Sequence, residues 1–84
     1  MVDLINIKRN NNLVVVDYYP EGNKEDIGHI EYNIDNKKVL QYRYCKLDSE
    51  SYLKTYYNKA ISAIEEIVED DVKDYPQTYN YMWY

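Results

Sequence analysis

The segment LKTYYNKAISAIEEIV (residues 53–68) decides the fold of this chain. Apolar side chains recur in it at three- and four-residue spacing, and polar side chains occupy most positions between them. This periodicity predicts an amphipathic helix of about 20 residues that lays one face on a core. The apolar positions are Leu53, Tyr56, Tyr57, Ala60, Ile61, Ile64, Ile67 and Val68.

Both ends of this helix have sequence signals. We expect Asp48 or Ser49 to cap its start, because a side-chain oxygen there accepts hydrogen bonds from first-turn amides. We expect it to end near residues 70–72, because Pro76 lacks an amide hydrogen and disfavours a helical conformation at Tyr75.

A β-hairpin is predicted before the helix, around the asparagine run at residues 10–12. Asparagine tolerates the positive φ of a type I′ turn, so the first two asparagines are predicted to form the loop. That register places Ile7 opposite Val14 and Ile5 opposite Val16. The core face is then Ile5, Ile7, Val14, Val16 and Tyr18, and the other face is Leu4, Asn6, Lys8, Leu13, Val15 and Asp17.

A second hairpin is predicted after a polar connection at residues 20–26. A three-residue loop at 35–37 places Tyr32 opposite Leu40 and Ile30 opposite Tyr42, and it extends to Gly28 opposite Tyr44. The predicted core face is Ile30, Tyr32, Ile34, Leu40, Tyr42 and Tyr44. The other face is Ile27, His29, Glu31, Gln41, Arg43 and Cys45.

These elements predict a single α+β domain over residues 1–84. We expect a four-stranded antiparallel sheet made of two hairpins, with one long amphipathic helix packed on one face. The alternating aromatic residues in 78–84 add a fifth strand at the C-terminus.

The composition excludes several classes of protein. Cys45 is the only cysteine, so a disulfide framework is excluded, and a reduced thiol indicates a cytoplasmic protein. The longest aliphatic run, residues 13–16, is far shorter than the roughly 18 residues of a membrane span. The twelve tyrosines, with one tryptophan and no phenylalanine, are the most unusual feature.

The formal net charge of −5 is concentrated in the second half of the chain. Residues 1–47 hold equal numbers of acids and bases, and six acids lie between Glu65 and Asp74. A duplex-binding protein would carry a basic stripe instead, so nucleic acid is disfavoured as a partner.

No pattern of catalytic or cofactor-binding residues is present. Glycine-rich phosphate loops are absent, and we predict no enzyme activity, no cofactor and no metal. His29 and Glu31 share a strand face with Cys45, but a metal site needs more ligands, and a Cys45–His29 dyad has no orienting third residue. Tyrosines on the second hairpin resemble a base-stacking platform, but the predicted register turns them towards the helix.

Two segments are candidates for binding a protein partner. Acidic residues near a helix C-terminus oppose the helix dipole, so they are either a solubilising face or a docking patch for a basic surface. The aromatic C-terminus either completes the core or forms an interface, since Tyr and Trp are enriched at binding hot spots. The candidate residues are Glu65, Glu66, Glu69, Asp70, Asp71, Tyr79, Tyr81, Trp83 and Tyr84.

Three short stretches carry a family resemblance. The segment DYYPEG at residues 17–22, the strand that begins near Gly28, and the terminal MWY at 82–84 resemble short bacterial proteins of uncharacterised function. The resemblance implies that the turn at 20–22 and the aromatic terminus are standing features of such proteins, and it implies no activity.

The sequence therefore predicts a small cytoplasmic module that acts through protein contacts, by self-association as a homodimer or by binding another protein. The alternative is a phage or mobile-element inhibitor whose acidic helix mimics nucleic-acid charge and occupies a groove on a host protein. Neither function involves a membrane. Salt separates them, because a charge mimic loses affinity steeply as ionic strength rises.

Overall fold

The computed structural model describes residues 1–69 and 75–82. The predicted helix end near 70–72 lies outside these residues. The strands are β1 (Val2–Asn10), β2 (Leu13–Pro20), β3 (Gly28–Asn33), β4 (Lys38–Arg43) and β5 (Tyr79–Tyr81), and the helices are α1 (Lys46–Ser49) and α2 (Thr55–Glu69). The predicted α+β class, with two hairpins, a long helix and a fifth strand, is confirmed.

The five strands form one antiparallel sheet in the order β4-β3-β2-β1-β5. The C-terminal strand pairs with the N-terminal one, with Tyr81 opposite Val2 and Tyr79 opposite Leu4. This pairing makes β1 an internal strand and leaves β4 and β5 at the two edges.

The first hairpin differs from the predicted register. Arg9 pairs with Val14 and Asn10 with Leu13, so the loop is the second and third asparagines at 11–12. Asn11 has a φ of 55°, the positive value that asparagine tolerates in such a turn. The predicted pairs of Ile7 with Val14 and Ile5 with Val16 are therefore wrong.

A β-bulge further along β1 makes the predicted face assignment wrong as well. The register shifts between Ile5 and Lys8, where Asn6 has a φ of 53°. A bulge adds one residue to one strand, so the alternation of inward and outward side chains changes phase across it. Leu4 and Ile7 are consequently both buried in the core, and the half-buried Ile5 lies on the other face, contrary to the predicted assignment of Leu4 and Ile5.

The register predicted for the second hairpin is correct at one end of the strands and shifted at the other. Ile30 pairs with Tyr42 as predicted, but Tyr32 pairs with Val39 rather than with Leu40, because the register shifts between Glu31 and Tyr32. The loop has four residues, 34–37, instead of three, and β4 ends before the predicted partner of Gly28.

The helical region is divided in two, and the predicted helix start is wrong. Residues 46–49 form a separate short helix, and α2 begins only at Thr55. Leu53 lies between the helices and is exposed instead of contributing to the core.

Each helix start is capped from elsewhere in the chain. The Asp26 carboxylate, from the loop after β2, accepts hydrogen bonds from the amides of Lys46 and Leu47 at 2.5 and 3.0 Å. The Asp48 carboxylate accepts those of Tyr56 and Tyr57 at 3.1 and 2.6 Å. Asp48 is thus the helix cap that the sequence predicts. It caps α2 across the connection between the two helices, and not the residues that directly follow it.

The core lies between the sheet and α2. The helix buries Ala60, Ala63, Ile64 and Ile67, and its main contacts are with β1, β2 and β5. Cys45 is also fully buried in this core, so its predicted place on the polar sheet face beside His29 is wrong. The helix covers one face of the sheet, and within residues 1–69 and 75–82 no helix lies on the other face.

Candidate functional site

The acidic candidates lie on the outer side of α2. Glu65, Glu66 and Glu69 are all exposed, as a solvated helix face requires. Asp70 and Asp71 lie outside the described residues. Three carboxylates therefore project from the last turns of α2 without an ion pair to any described residue.

Two of the aromatic candidates of the C-terminus contribute to the fold. Tyr79 and Tyr81 lie in β5, are half-buried and pack against the core. Trp83 and Tyr84 lie outside the described residues. The Tyr79 hydroxyl donates a hydrogen bond of 3.5 Å to Glu66 Oε2, so the structure joins one acidic candidate to one aromatic candidate.

A second aromatic group, absent from the predicted site, lies at the opposite edge of the sheet. Tyr42 is predicted to be core, but 54% of its surface is exposed, and Leu40 is equally exposed. The rings of Tyr42, Tyr44 and Tyr57 form a closed triangle with centroid separations of 4.9, 5.3 and 5.0 Å. We call Leu40, Tyr42, Tyr44 and Tyr57 the β4 aromatic surface.

The position of α2 explains this exposure. Its main contacts are with β1, β2 and β5, which lie towards the far side of the sheet from β4. The part of α2 that reaches the edge strand β4 is its first turn, where Tyr57 contacts the rings of Tyr42 and Tyr44, and Leu40 and Tyr42 remain more than half exposed. The basic residues Lys37, Lys38 and Arg43 in and around β4 are a sequence signal of an edge strand that the hairpin pattern concealed.

The negative charges of α2 act on Tyr32 of β3. Burial raises the pKa of Tyr32, and the negative charges of Glu65 and Glu69 raise it further. Tyr32 is the cross-strand neighbour of Val39, one residue before Leu40. The carboxylates of Glu65 and Glu69 thus lie near the strand pair that carries the β4 aromatic surface.

A polar cluster occupies the open face of the sheet. His29 Nδ1 lies 2.7 Å from Asp17 Oδ1, and its Nε2 lies 3.0 Å from Glu31 Oε2. The hydrogen bond with Asp17 is the largest effect and raises the pKa of His29, burial opposes it, and the bond with Glu31 adds to it. Both ring nitrogens face carboxylates, so the arrangement favours the imidazolium form.

A buried polar chain holds Cys45. Its amide donates to the Tyr18 hydroxyl at 3.1 Å, and that hydroxyl donates to Asp48 Oδ2 at 3.2 Å. Burial is the main cause that raises the pKa of the Cys45 thiol, which disfavours the reactive thiolate. Cys45 and His29 lie on opposite sides of the sheet, so they do not form a dyad. In the described part of the chain, no three His, Cys, Asp or Glu side chains are grouped to hold a metal ion.

Comparisons with known proteins complete the description. Within residues 1–69 and 75–82, no helix has both the length and the apolar character to cross a membrane. No protein-family model, curated protein or solved structure gives a significant match to this chain.

Proposed function

We propose that this chain is a non-enzymatic protein-interaction module whose β4 aromatic surface, with the neighbouring carboxylates of Glu65 and Glu69, contacts a partner protein. The exposure of Leu40 and Tyr42 carries the proposal. Exposed apolar side chains that belong to one cluster mark interaction surfaces, and the Tyr42 ring belongs to a cluster with Tyr44 and Tyr57.

The geometry of the tyrosines supports this role. Tyr42 and Tyr44 come from the edge of the sheet, and Tyr57 comes from the first turn of α2, so two elements fix the three rings against one another. Rings that are already ordered lose little conformational entropy when a partner covers them. Each tyrosine also keeps a hydroxyl that can bond across an interface.

The carboxylates of α2 favour a basic partner surface, while β4 itself contributes the bases Lys38 and Arg43, and the Lys54 ammonium lies 4.9 Å from the centre of the Tyr44 ring. Glu65 and Glu69 are exposed, act electrostatically on Tyr32 of β3, and belong to a chain with a net charge of −5. Carboxylates at the rim of an apolar patch steer association and select against acidic partners. They also disfavour a homodimer that would bring two copies of this acidic end together.

Tyr79 and Tyr81 serve the fold in this proposal, because they pack on the core as part of β5. The aromatic anchors are those of the β4 aromatic surface, and the acidic helix keeps its expected role. We place the module in the cytoplasm, where the buried thiol of Cys45 stays reduced.

The test is capture of protein partners from source cells on the immobilised chain. Tyr42→Ser should abolish the specific partners, and Tyr52→Ser is the matched control, because Tyr52 is a fully exposed tyrosine on the connection between α1 and α2. Equal capture by the wild type and Tyr42→Ser would overturn the proposal.

The dependence of affinity on salt concentration distinguishes the interaction module from the nucleic-acid mimic. An aromatic interface should keep most of its affinity between about 50 and 200 mM salt, whereas a mimic should lose it steeply. Loss of capture in salt together with insensitivity to Tyr42→Ser would favour the mimic. A dimer in sedimentation at about 100 μM that Tyr42→Ser dissolves would identify a second copy as the partner.

A further inference from the structure

A cavity of about 580 Å³ opens on the sheet face that α2 does not cover. Its walls come from the bulged part of β1, from the end of β2, and from residues 77–78 that lead into β5. Small-molecule sites typically have volumes of about 300 to 1,000 Å³. The cavity is therefore large enough for a small organic ligand.

The bulge in β1 creates this space. After Ile5 the alternation changes phase, so Ile7 turns into the core, and the Asn6 side chain reaches sideways to donate to Asp17 Oδ2 at 3.0 Å. No large side chain of β1 fills the open face between Ile5 and Lys8. Because β5 pairs only with residues 2–4 of β1, the chain before it is free to form the opposite wall.

That opposite wall is attached to β1. The Ile7 amide donates a hydrogen bond of 3.2 Å to the carbonyl of Gln77. The Arg9 guanidinium lies 5.4 Å from the centre of the Tyr75 ring, within the range of a cation–π contact. The two contacts hold residues 75–77 beside the bulge, so the cavity belongs to the folded domain.

The lining combines an apolar floor with positive charge. Ile5 and Tyr19 line this face, and only 9% of Tyr19 is exposed, so its neighbours hold the ring in place and leave a small part of the residue open to the cavity. Lys8 and Lys24 are the charged residues of the lining. Neither ammonium has an ion-pair partner among residues 1–69 and 75–82, although the chain as a whole is acidic.

We propose that this cavity binds a small organic anion, with a flat apolar body on Tyr19 and Ile5 and a carboxylate, sulfonate or phosphate group between Lys8 and Lys24. An ammonium acts as a compact point charge on an anion of any of these shapes. The apolar floor excludes water from one side of the ligand, which strengthens the electrostatic attraction. Gln77 and Thr78 line the same wall, and their side chains carry an amide and a hydroxyl group that can form hydrogen bonds.

The probe for this site is 8-anilinonaphthalene-1-sulfonate, an aromatic anion, titrated calorimetrically into the full chain. We expect one site with a Kd below about 100 μM. Lys8→Gln and Lys24→Gln should each weaken binding by about three- to tenfold, since each removes one charge from the lining. Lys37→Gln, an exposed lysine outside the cavity, is the matched control and should leave the Kd unchanged.

Two further arms test the ligand class. The neutral analogue N-phenyl-1-naphthylamine should bind at least fivefold more weakly, and inorganic phosphate should fail to compete at low millimolar concentration. Equal affinity for the neutral analogue, or full competition by phosphate, would overturn the assignment to an organic anion.

Amide chemical shifts locate the site. The largest changes on adding the sulfonate should fall on Ile5, Asn6, Tyr19 and Thr78. Changes confined to the β4 aromatic surface would show that the probe binds there, and the proposal would fall. Lys8→Gln and Lys24→Gln should unfold at the same temperature as the wild type, as surface substitutions ordinarily do. Weaker binding then reflects the lost charge and not a loss of folding.

Discussion

Tyr18 and Gly28 face each other across β2 and β3, and the Tyr18 ring lies directly over the glycine Cα. A Cβ on residue 28 would lie 2.3 Å from Tyr18 Cε1 and 2.5 Å from Cζ. The ring cannot easily move away, because its hydroxyl accepts from the Cys45 amide and donates to Asp48. The glycine is therefore required by packing, and the pair links the sheet to the start of both helices.

Gly28→Ala should lower the free energy of unfolding by about 2 kcal/mol or more, since overpacking of a closed site typically costs about 1 to 3 kcal/mol. Urea unfolding measures the loss. Gly22→Ala is the control: its added Cβ has nothing within 4 Å, although Gly22 has a φ of 75° that costs an alanine about 1 kcal/mol. A smaller effect at residue 28 than at residue 22 would contradict the close contact.

Asp48→Ala should destabilise the domain by about 3 kcal/mol, because it leaves two α2 amides and the buried Tyr18 hydroxyl without their acceptor. Asp26→Ala is the matched comparison, since Asp26 also caps a helix through two amides but lies at a more exposed site. We expect it to cost about 1 kcal/mol. Denaturant titration measures the loss of unfolding free energy in both variants. A larger loss for Asp26→Ala than for Asp48→Ala would contradict the prediction.

Stability should fall as the pH rises through the pKa of His29. The hydrogen bond with Asp17 is the main cause that raises the pKa of His29 in the folded state above its unfolded value of about 6.5. The stabilisation is therefore fully present below about pH 6.5 and is lost above the folded pKa. Comparing urea unfolding of the wild type and His29→Gln between about pH 6 and 8.5 isolates this term. Parallel curves for the two proteins would show that His29 contributes nothing to it.

Leu40→Ser should change the free energy of unfolding by less than about 0.5 kcal/mol, because more than half of Leu40 is exposed. Ile30→Ala, on the neighbouring strand, should cost about 2 to 5 kcal/mol, because Ile30 is fully buried. Thermal or urea unfolding of both variants checks the contrast. A large loss for Leu40→Ser would mean that the β4 aromatic surface is part of the core and not a surface for a partner.

Deletion of residues 78–84 should remove β5, leave β1 as an edge strand paired only with β2, and expose the part of the core on which Tyr79 and Tyr81 pack. The thermal transition should be lost or lowered by more than about 10 °C, since each kcal/mol shifts the midpoint of so small a domain by about 4 to 8 °C. Met82→Ser, at an exposed residue after β5, should leave the transition in place. A native-like transition in the truncated chain would refute the structural role of β5.

The kinds of element and their order follow from local patterns in the amino-acid sequence. The apolar spacing of residues 56–68 is a local pattern, and it is found in α2. The asparagine run and the polar residues at 20–26 and 35–37 mark turns by their own backbone preferences, so both hairpins were predictable to within one residue of their loops. The alternation in 78–84 also predicted β5, because strand propensity is read from neighbours in the chain.

The register, the helix starts and the exposed surface are properties of the tertiary structure. The bulge at Asn6 exchanges Leu4 and Ile5 between the two faces, and nothing local distinguishes a bulged strand from a regular one. The helix starts depend on Asp26 and Asp48, whose carboxylates reach amides from 8 to 21 residues away. Tyr42 reads as core in its hairpin, yet it is exposed because α2 packs towards β1 and β5. Each of these outcomes depends on contacts between segments distant in the chain, which periodicity cannot report.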